Sequence, residues 1–394
     1  MPAVTGLRYV SWGDTTGYAV AAKAYLRLLA EAGVPVTWTP MRPGRRRYRA
    51  WTGTAWPEPG LAPLCNRPLA YDTVLVHTVP EYYPDFIAEA RAGGRRILGY
   101  TVWELERLPD HWPAILNQLD GVLVPCRWNA DSFRRSGVTV PIHVVPHVSQ
   151  FEARPTASSA AHAALAARLG RPRDELGFLF YTIGTWSARK APERVVAAFL
   201  EAFTADDPVT LVVKTSRNDV TRARRRWWAG FRMRYPSPRA ALAELVARYP
   251  RPPRIVCIAD ETLSDDEMLA LHEQGDCFVS LARTEGWGLG AFEATRLGKP
   301  VVMTGYGGQR DFLDPELSQL LGYTMVPVDE PIWRRNYRAG DRWAEPSLAE
   351  AVARLRAIAR DPAPARRRAG ELAARNAARF SPAAIRRALL AALA

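Results

Sequence analysis

Two glutamates with seven residues between them, Glu285 and Glu293, stand in the stretch FVSLARTEGWGLGAFEATRL from Phe278 to Leu297. Gly286, Gly288 and Gly290 open the chain between them. Cys277 to Ala282 reads as a buried strand bounded by turn residues, and Ala291 to Leu297 as a helical run. A strand, a glycine turn and a helix start make an anion pocket, because the first helical amides lack an intrahelical acceptor and point outward. Glu285 is expected at the pocket mouth. Glu293 is expected about two turns further on, where it can meet another part of an extended ligand. A second cluster is the adjacent pair Arg189 and Lys190, in the loop between the strand-like Phe178 to Gly184 and a helix from Glu193 to Phe203. Arginine binds phosphate bidentately, so this pair is a compact cationic site for a diphosphate.

The elements that must position these residues alternate along the chain. Leu7 to Trp12 is a short strand, Gly13 to Tyr18 a polar turn, and Ala19 to Ala32 a helix rich in alanine and leucine. The Gly17 amide near that helix start makes the turn a second phosphate- or sugar-facing loop. The turn is not G-x-G-x-x-G, which speaks against a nicotinamide cofactor. Strands follow at Thr73 to His77, Ile97 to Thr101, Gly121 to Pro125 and Ile142 to Val145, separated by helices at Tyr83 to Ala92, Trp112 to Gln118 and Asn129 to Arg135. Such alternation predicts a parallel sheet with ligands at the strand C-terminal ends. His77, the Tyr100 to Glu104 segment, Arg127 and His147 fall at those ends; His77 and His147 are equally readable as structural histidines. From Met41 to Leu69 the chain is rich in Pro, Arg, Gly and Trp and reads as a long irregular excursion. The segment from Ser149 to Gly177 suits a linker with a short helix, with a boundary near residue 155. Beyond it come strands at Thr210 to Thr215 and Arg254 to Ile258, a helix from Ser264 to Gln274 capped by Ser264, and helices at Pro346 to Arg360, Ala363 to Arg379 and Pro382 to Leu393.

A length of 394 residues suggests two or three domains, and 48% hydrophobic with 24% charged residues describes an ordinary globular protein. Neither a secretory leader nor a bilayer-spanning apolar run is legible, so a cytoplasmic location is expected. The four cysteines form no C-x-x-C pair, so neither a zinc site nor a disulfide framework is indicated and most are expected to be buried small apolar residues. The net charge of +13 favours polyanionic partners: sugar nucleotides, phosphorylated acceptors, acidic membrane surfaces or nucleic acid. The densest basic run, RARRRWW from Arg222 to Trp228, reads as a surface helix with tryptophans packed inward, or as phosphate-binding arginines with stacking or membrane-anchoring tryptophans.

The stretch Glu285-Gly286-Trp287-Gly288-Leu289-Gly290-Ala291-Phe292-Glu293, followed by Leu297 to Val302 and the loop Gly305 to Phe312, resembles the E-x7-E signature of retaining glycosyltransferases of the family 4 type. This resemblance implies an α/β GT-B fold of two Rossmann-like lobes facing each other across a cleft. Residues 1–155 would form an acceptor-side lobe, 156–380 a nucleotide-sugar lobe, and 381–394 a helix crossing back to the first. In the family the first glutamate meets the donor sugar, the glycine-turn amides hold sugar hydroxyls and phosphate, and the second glutamate binds ribose. Those roles pass to Glu285, to Gly286, Trp287, Gly288, Leu289 and Gly290, and to Glu293. The usual turn carries a small residue or Phe where Trp287 stands, and often Pro where Gly290 stands. The family's basic pair in G-R-x-x-x-x-K-G has its counterpart in G-T-W-S-A-R-K-A, giving Arg189 and Lys190 a part in catalysis. The Gly13 to Tyr18 turn corresponds to a family loop that helps hold donor phosphate and acceptor, which points to Gly17 and Tyr18. Ile258, in the run Ile258-Ala259-Asp260, matches the place where relatives hold the nucleotide base. Many relatives have a sugar-binding histidine where this chain has Gly99-Tyr100-Thr101-Val102-Trp103-Glu104. Glu104 then becomes the acceptor-binding candidate, with Trp103 as a stacking surface for a sugar ring and His77 beside them.

Sugar transfer from a nucleotide donor leaves negative charge on a diphosphate, which a metal or fixed cations must stabilise. No Asp-x-Asp occurs in the sequence, so a metal-independent transfer is expected, with Arg189, Lys190 and helix-end amides supplying the positive potential. No cofactor is expected beyond the nucleotide-sugar donor; the acceptor would be a glycan, a lipid-linked or a small-molecule hydroxyl, and the basic charge allows peripheral contact with acidic membrane, with nucleic acid disfavoured. Sugar-nucleotide epimerisation, phosphorolysis, and noncatalytic binding of nucleic acid or acidic glycans stay open at this level.

Overall fold

The computed structural model describes residues 4–44, 47–152, 156–222, 224–225, 233–330 and 335–394. The chain divides into two compact units, Met1–Ala153 with Ala378–Ala394, and Arg154–Ala377. The expected boundary at residue 155 lies outside the described residues, as do residue 223 and residues 226–228 of the basic run.

Unit 1 contains β1 (Leu7–Trp12), α1 (Gly17–Glu31), β2 (Val36–Pro43), β3 (Tyr48–Ala50), β4 (Thr73–His77), α2 (Tyr83–Ala92), β5 (Arg96–Tyr100), α3 (Trp112–Leu116), β6 (Gly121–Val124), α4 (Arg127–Arg135) and β7 (Ile142–Val144). The seven strands form one sheet in the order β3-β2-β1-β4-β5-β6-β7, parallel except for β3. β1 and β4 are buried on both faces, which is why they read as apolar runs. β2 was not foreseen. Its run VTWTPMRP holds two prolines, which normally argue against a strand. Pairing with β1 from Leu7↔Val36 to Trp12↔Met41 forms it nonetheless, and β3 then orders part of the expected irregular excursion.

Unit 2 contains α5 (Ser159–Leu169), β8 (Phe178–Ile183), α6 (Pro192–Ala202), β9 (Val209–Lys214), the short pair β10 (Arg224–Arg225) and β11 (Met233–Arg234), α7 (Pro238–Val246), β12 (Arg254–Ile258), α8 (Asp265–Gln274), β13 (Cys277–Ser280), α9 (Leu289–Arg296), β14 (Val301–Thr304), β15 (Gln319–Leu321), the hairpin β16 (Tyr323–Pro327) and β17 (Arg342–Pro346), α10 (Leu348–Arg360) and α11 (Ala363–Arg379). Its main sheet is parallel, in the order β12-β9-β8-β13-β14-β15. Phe180, Phe199, Leu211, Val213 and Leu355 belong to a core packed beneath that sheet. α8 starts with a full capping box, Ser264 and Glu267 each satisfying the other's backbone amide. The last helix, α12 (Pro382–Leu393), returns to unit 1: it packs against α1, and the Arg96 guanidinium donates to the Leu393 carbonyl. The four cysteines are buried. No helix among the described residues is long and apolar enough to cross a membrane.

Candidate functional site

In unit 2 the chain reverses its strand order around β8, with β9 on one side and β13 on the other, and loops leaving these strands meet at their C-terminal ends. The loop after β13 carries Glu285, and the loop after β8 carries Arg189 and Lys190. Arg189 Nη1 donates to Glu285 Oε2 (3.2 Å) and to the Thr284 carbonyl (3.0 Å), and Lys190 Nζ donates to Glu285 Oε1. Glu285 is 6% exposed. Burial pushes its carboxyl pKa up, but the charges and hydrogen bonds of Lys190 and Arg189 outweigh that and hold it below the usual carboxylate range. The carboxylate is therefore ionised at neutral pH.

Neighbouring residues hold this arrangement. The Arg283 backbone N–H donates to the Arg189 carbonyl (2.8 Å), while its guanidinium donates to the Ala188 carbonyl and to Glu345 Oε2 (2.6 Å) and lies over the Trp343 ring. Arg283 thus ties the cationic loop to the strand end beside Glu285. No local pattern marks it, because its partners come from loop 184–191 and β17. Below Glu285, the Gly308 N–H donates to the Glu285 carbonyl (2.7 Å). Gly307 has φ +111°, and a Cβ there would sit 2.6 Å from that same carbonyl oxygen, so only glycine permits the approach. Ala191, next to Lys190, is held in the left-handed region at φ 44° to start α6.

The glycine turn caps α9 as its composition suggests. Gly288 is the N-cap, at φ 92°, and α9 begins at Leu289 rather than Ala291. Trp287 is buried against Phe292 and Phe312, so its ring is a wedge in the core under the turn. Glu293 lies one turn into α9 and is 1% exposed. Ile258 ends β12; its carbonyl accepts the Thr215 N–H (3.0 Å). Among the described residues, no group of three or more His, Cys, Asp or Glu is placed to hold a metal ion.

The unit 1 candidates gather at the C-terminal ends of its own sheet. Gly17 opens α1 and Asp14 Oδ1 closes the turn on Thr16. The Tyr18 hydroxyl bonds Thr101 Oγ1 (3.0 Å), donates to the Val102 carbonyl (2.9 Å) and accepts the Val102 N–H (3.0 Å), which fastens α1 to the segment leading to Glu104. Glu104 is half-buried. Trp103 differs from expectation. It is 4% exposed, packs edge-on against Trp112 and donates from Nε1 to the Arg107 carbonyl (2.6 Å), so its face is not open for a sugar ring. His77 is fully buried among Tyr9, Tyr25 and Tyr100; Nδ1 bonds the Tyr9 hydroxyl (2.7 Å) and Nε2 has no partner. Burial first, and His147 second, hold its pKa well below the usual histidine value, so the ring is neutral. Of the two readings the sequence left open for His77, ligand-facing or structural, this buried position accords with the structural one.

Solved structures that share this architecture include three that match nearly the whole chain. HepE of Anabaena in complex with UDP is 13% identical over 98% of each chain, with a TM-score of 0.65. Sucrose-phosphate synthase of Thermosynechococcus elongatus is 16% identical over 98% of this chain and 97% of that one, with a TM-score of 0.67. The E. coli trehalose-6-phosphate protein bound with UDP-2-fluoro glucose is 14% identical over 98% of each chain, with a TM-score of 0.60. At these identities the likeness defines the fold, which is GT-B: two Rossmann-like α/β lobes. Residues 238–389 match the family described as "GT4-conflict: Family 4 Glycosyltransferase in conflict systems". That segment includes Glu285, the glycine turn and Glu293 but not Arg189 or Lys190. No curated protein matches the sequence.

Proposed function

We propose that the protein transfers a sugar from a nucleoside-diphosphate donor to an acceptor hydroxyl, with retention of anomeric configuration and without a metal ion or a further cofactor. The observation that supports this reading most is the ionised, buried Glu285 held by Arg189 and Lys190 at the strand ends where α9 begins. Breaking the bond between C1 and the phosphate oxygen puts charge on the diphosphate, and fixed cations at that place stabilise it at no reorganisation cost. The new bond forms from the acceptor oxygen to C1 on the same face, and the acceptor proton passes to the leaving phosphate oxygen. Both Glu285 oxygens are engaged by cations, which makes the carboxylate a poor nucleophile and suits a residue that positions sugar hydroxyls. The amides of Gly286 to Gly290 receive phosphate and sugar, Glu293 the ribose, and the Ile258 backbone the base. Unit 1 takes the acceptor, a glycan, lipid-linked or small-molecule hydroxyl, through the Gly17 to Tyr18 turn and Glu104, on the cytoplasmic side of any acidic membrane it meets.

The test is turnover of a panel of UDP-, GDP-, ADP- and dTDP-sugars, with and without EDTA, and the anomer of the product read by NMR. Hydrolysis or transfer that persists in EDTA and is lost in Glu285→Gln and Lys190→Met supports the reading. Absence of turnover and binding for every donor, or salt-dependent polynucleotide binding in their place, overturns it.

A further inference from the structure

One cation of unit 2 has no part in that scheme. Lys214 ends β9, where the register sets it between Ile183 of β8 and Ile258 of β12, at the same strand ends as the site. Its ammonium is half-buried and donates to the Thr215 carbonyl (3.0 Å); among the described residues no carboxylate pairs with it. Lys190 and Arg189, by contrast, share Glu285, and Arg283 holds Glu345. Lys214 and Lys190 line one notch of about 10 Å³ with Thr182, Gly184, Thr185 and Ser280. That volume holds about one water-sized atom. Thr215 behind it is 3% exposed, and its hydroxyl has no hydrogen-bond partner. An ammonium partly withdrawn from water, hydrogen-bonded to a neutral carbonyl and acted on by a carboxylate only through Glu261 without an ion pair, has room for an anionic oxygen in the notch. Desolvation lowers the Lys214 pKa, and the more distant Cys257 and Glu261 offset it only in part.

We infer that Lys214 is a donor-binding residue which, together with Lys190, holds one anionic oxygen of the sugar nucleotide's diphosphate. This rests on the donor reading above. Lys214 thereby does with a side chain what glycine-turn amides do on the opposite side of the switch point, and it couples the phosphate to the strand beside the base-holding Ile258.

The experiment compares wild type, Lys214→Met and Lys214→Arg by calorimetric titration with UDP, UMP, uridine and inorganic phosphate, alongside GDP, GMP and guanosine. Loss of one charge-assisted contact predicts a roughly 10- to 100-fold weaker affinity of Lys214→Met for the diphosphate. Nucleoside affinity stays within twofold, and Lys214→Arg recovers part of the loss. Unchanged diphosphate affinity in Lys214→Met overturns the inference, as does an equal loss for diphosphate and nucleoside, which marks a structural role. Inorganic phosphate binding that alone depends on Lys214 also overturns it, because the site then serves a free ion. Should Lys214→Met not fold, unaltered selectivity for diphosphate over nucleoside in Lys214→Gln decides against it. Wild type that binds no nucleoside diphosphate defeats the donor reading itself; wild type that turns over a donor while the variants match it defeats only the role of Lys214.

Discussion

Lys190→Met is expected to destabilise unit 2 far more when Glu285 is present than when it is already glutamine. The Arg189 to Glu285 separation is 3.2 Å, with Lys190 on the other carboxylate oxygen. At an effective dielectric of about 20, a pair at that distance gains about 5 kcal/mol of Coulomb energy. Desolvating the carboxylate takes back several kcal/mol, so the net coupling of Lys190 to Glu285 should be about 1–3 kcal/mol. Urea unfolding of wild type, Lys190→Met, Glu285→Gln and the double variant closes the cycle. The pH dependence gives an independent reading. Glu285 has a folded pKa below its unfolded value, so its stabilising share is complete above about pH 4.3 and is lost as pH falls through the lower folded value. Lys190→Met raises the folded pKa, so the loss begins at higher pH. A coupling below about 0.3 kcal/mol, within ordinary additivity, together with an unmoved acid limb, would refute the claim that these cations hold Glu285 ionised.

Other substitutions probe the parts that hold the site. Gly307→Ala should cost roughly 1–3 kcal/mol, because it adds a Cβ 2.6 Å from the Glu285 carbonyl at φ +111°, and should lower donor turnover; a thermal midpoint equal to wild type would count against this. Arg283→Met leaves the Ala188 carbonyl without its donor and should cost about 1–3 kcal/mol, with a weaker donor KM and intact uridine binding; unchanged KM would remove Arg283 from the positioning of the cationic loop. His272, whose pKa burial and, secondarily, Lys299 hold down to about 3, stays neutral while the unfolded residue takes a proton below about pH 6.5. Stability should therefore fall by about 1.4 kcal/mol per pH unit from this residue as pH drops below that value, and His272→Phe should flatten the limb between pH 6.5 and 5. An identical slope in the variant would exclude His272 as its source.

Much of the architecture was legible because it is written in local periods. The apolar strands β1, β4, β5 and β6, the alanine- and leucine-rich α1 and the Ser264 cap announce themselves within a few residues. β2 did not, since its prolines mask a strand that pairing with β1 imposes. Trp103 shows the opposite failure: an aromatic at a strand end looks like a binding platform until Trp112 and the Arg107 carbonyl close over it. His77 likewise sits where a ligand residue would, yet Tyr9 and Tyr100 seal it.

The sequence by itself determined the strand-turn-helix that carries Glu285, the glycine cap of α9 and the nearness of Arg189 to Lys190, since all of these depend on residues a few positions apart. Only the tertiary structure decided that the two cations meet Glu285, that Arg283 and Gly307 hold them there, and that Lys214 shares a notch with Lys190. Those contacts join residues 22 to 96 positions apart, from Gly307 beside the Glu285 carbonyl at the near end to Arg189 with Glu285 at the far end. Their geometry comes from the order in which parallel strands pair, a choice made by the burial of whole faces, which no local spacing records.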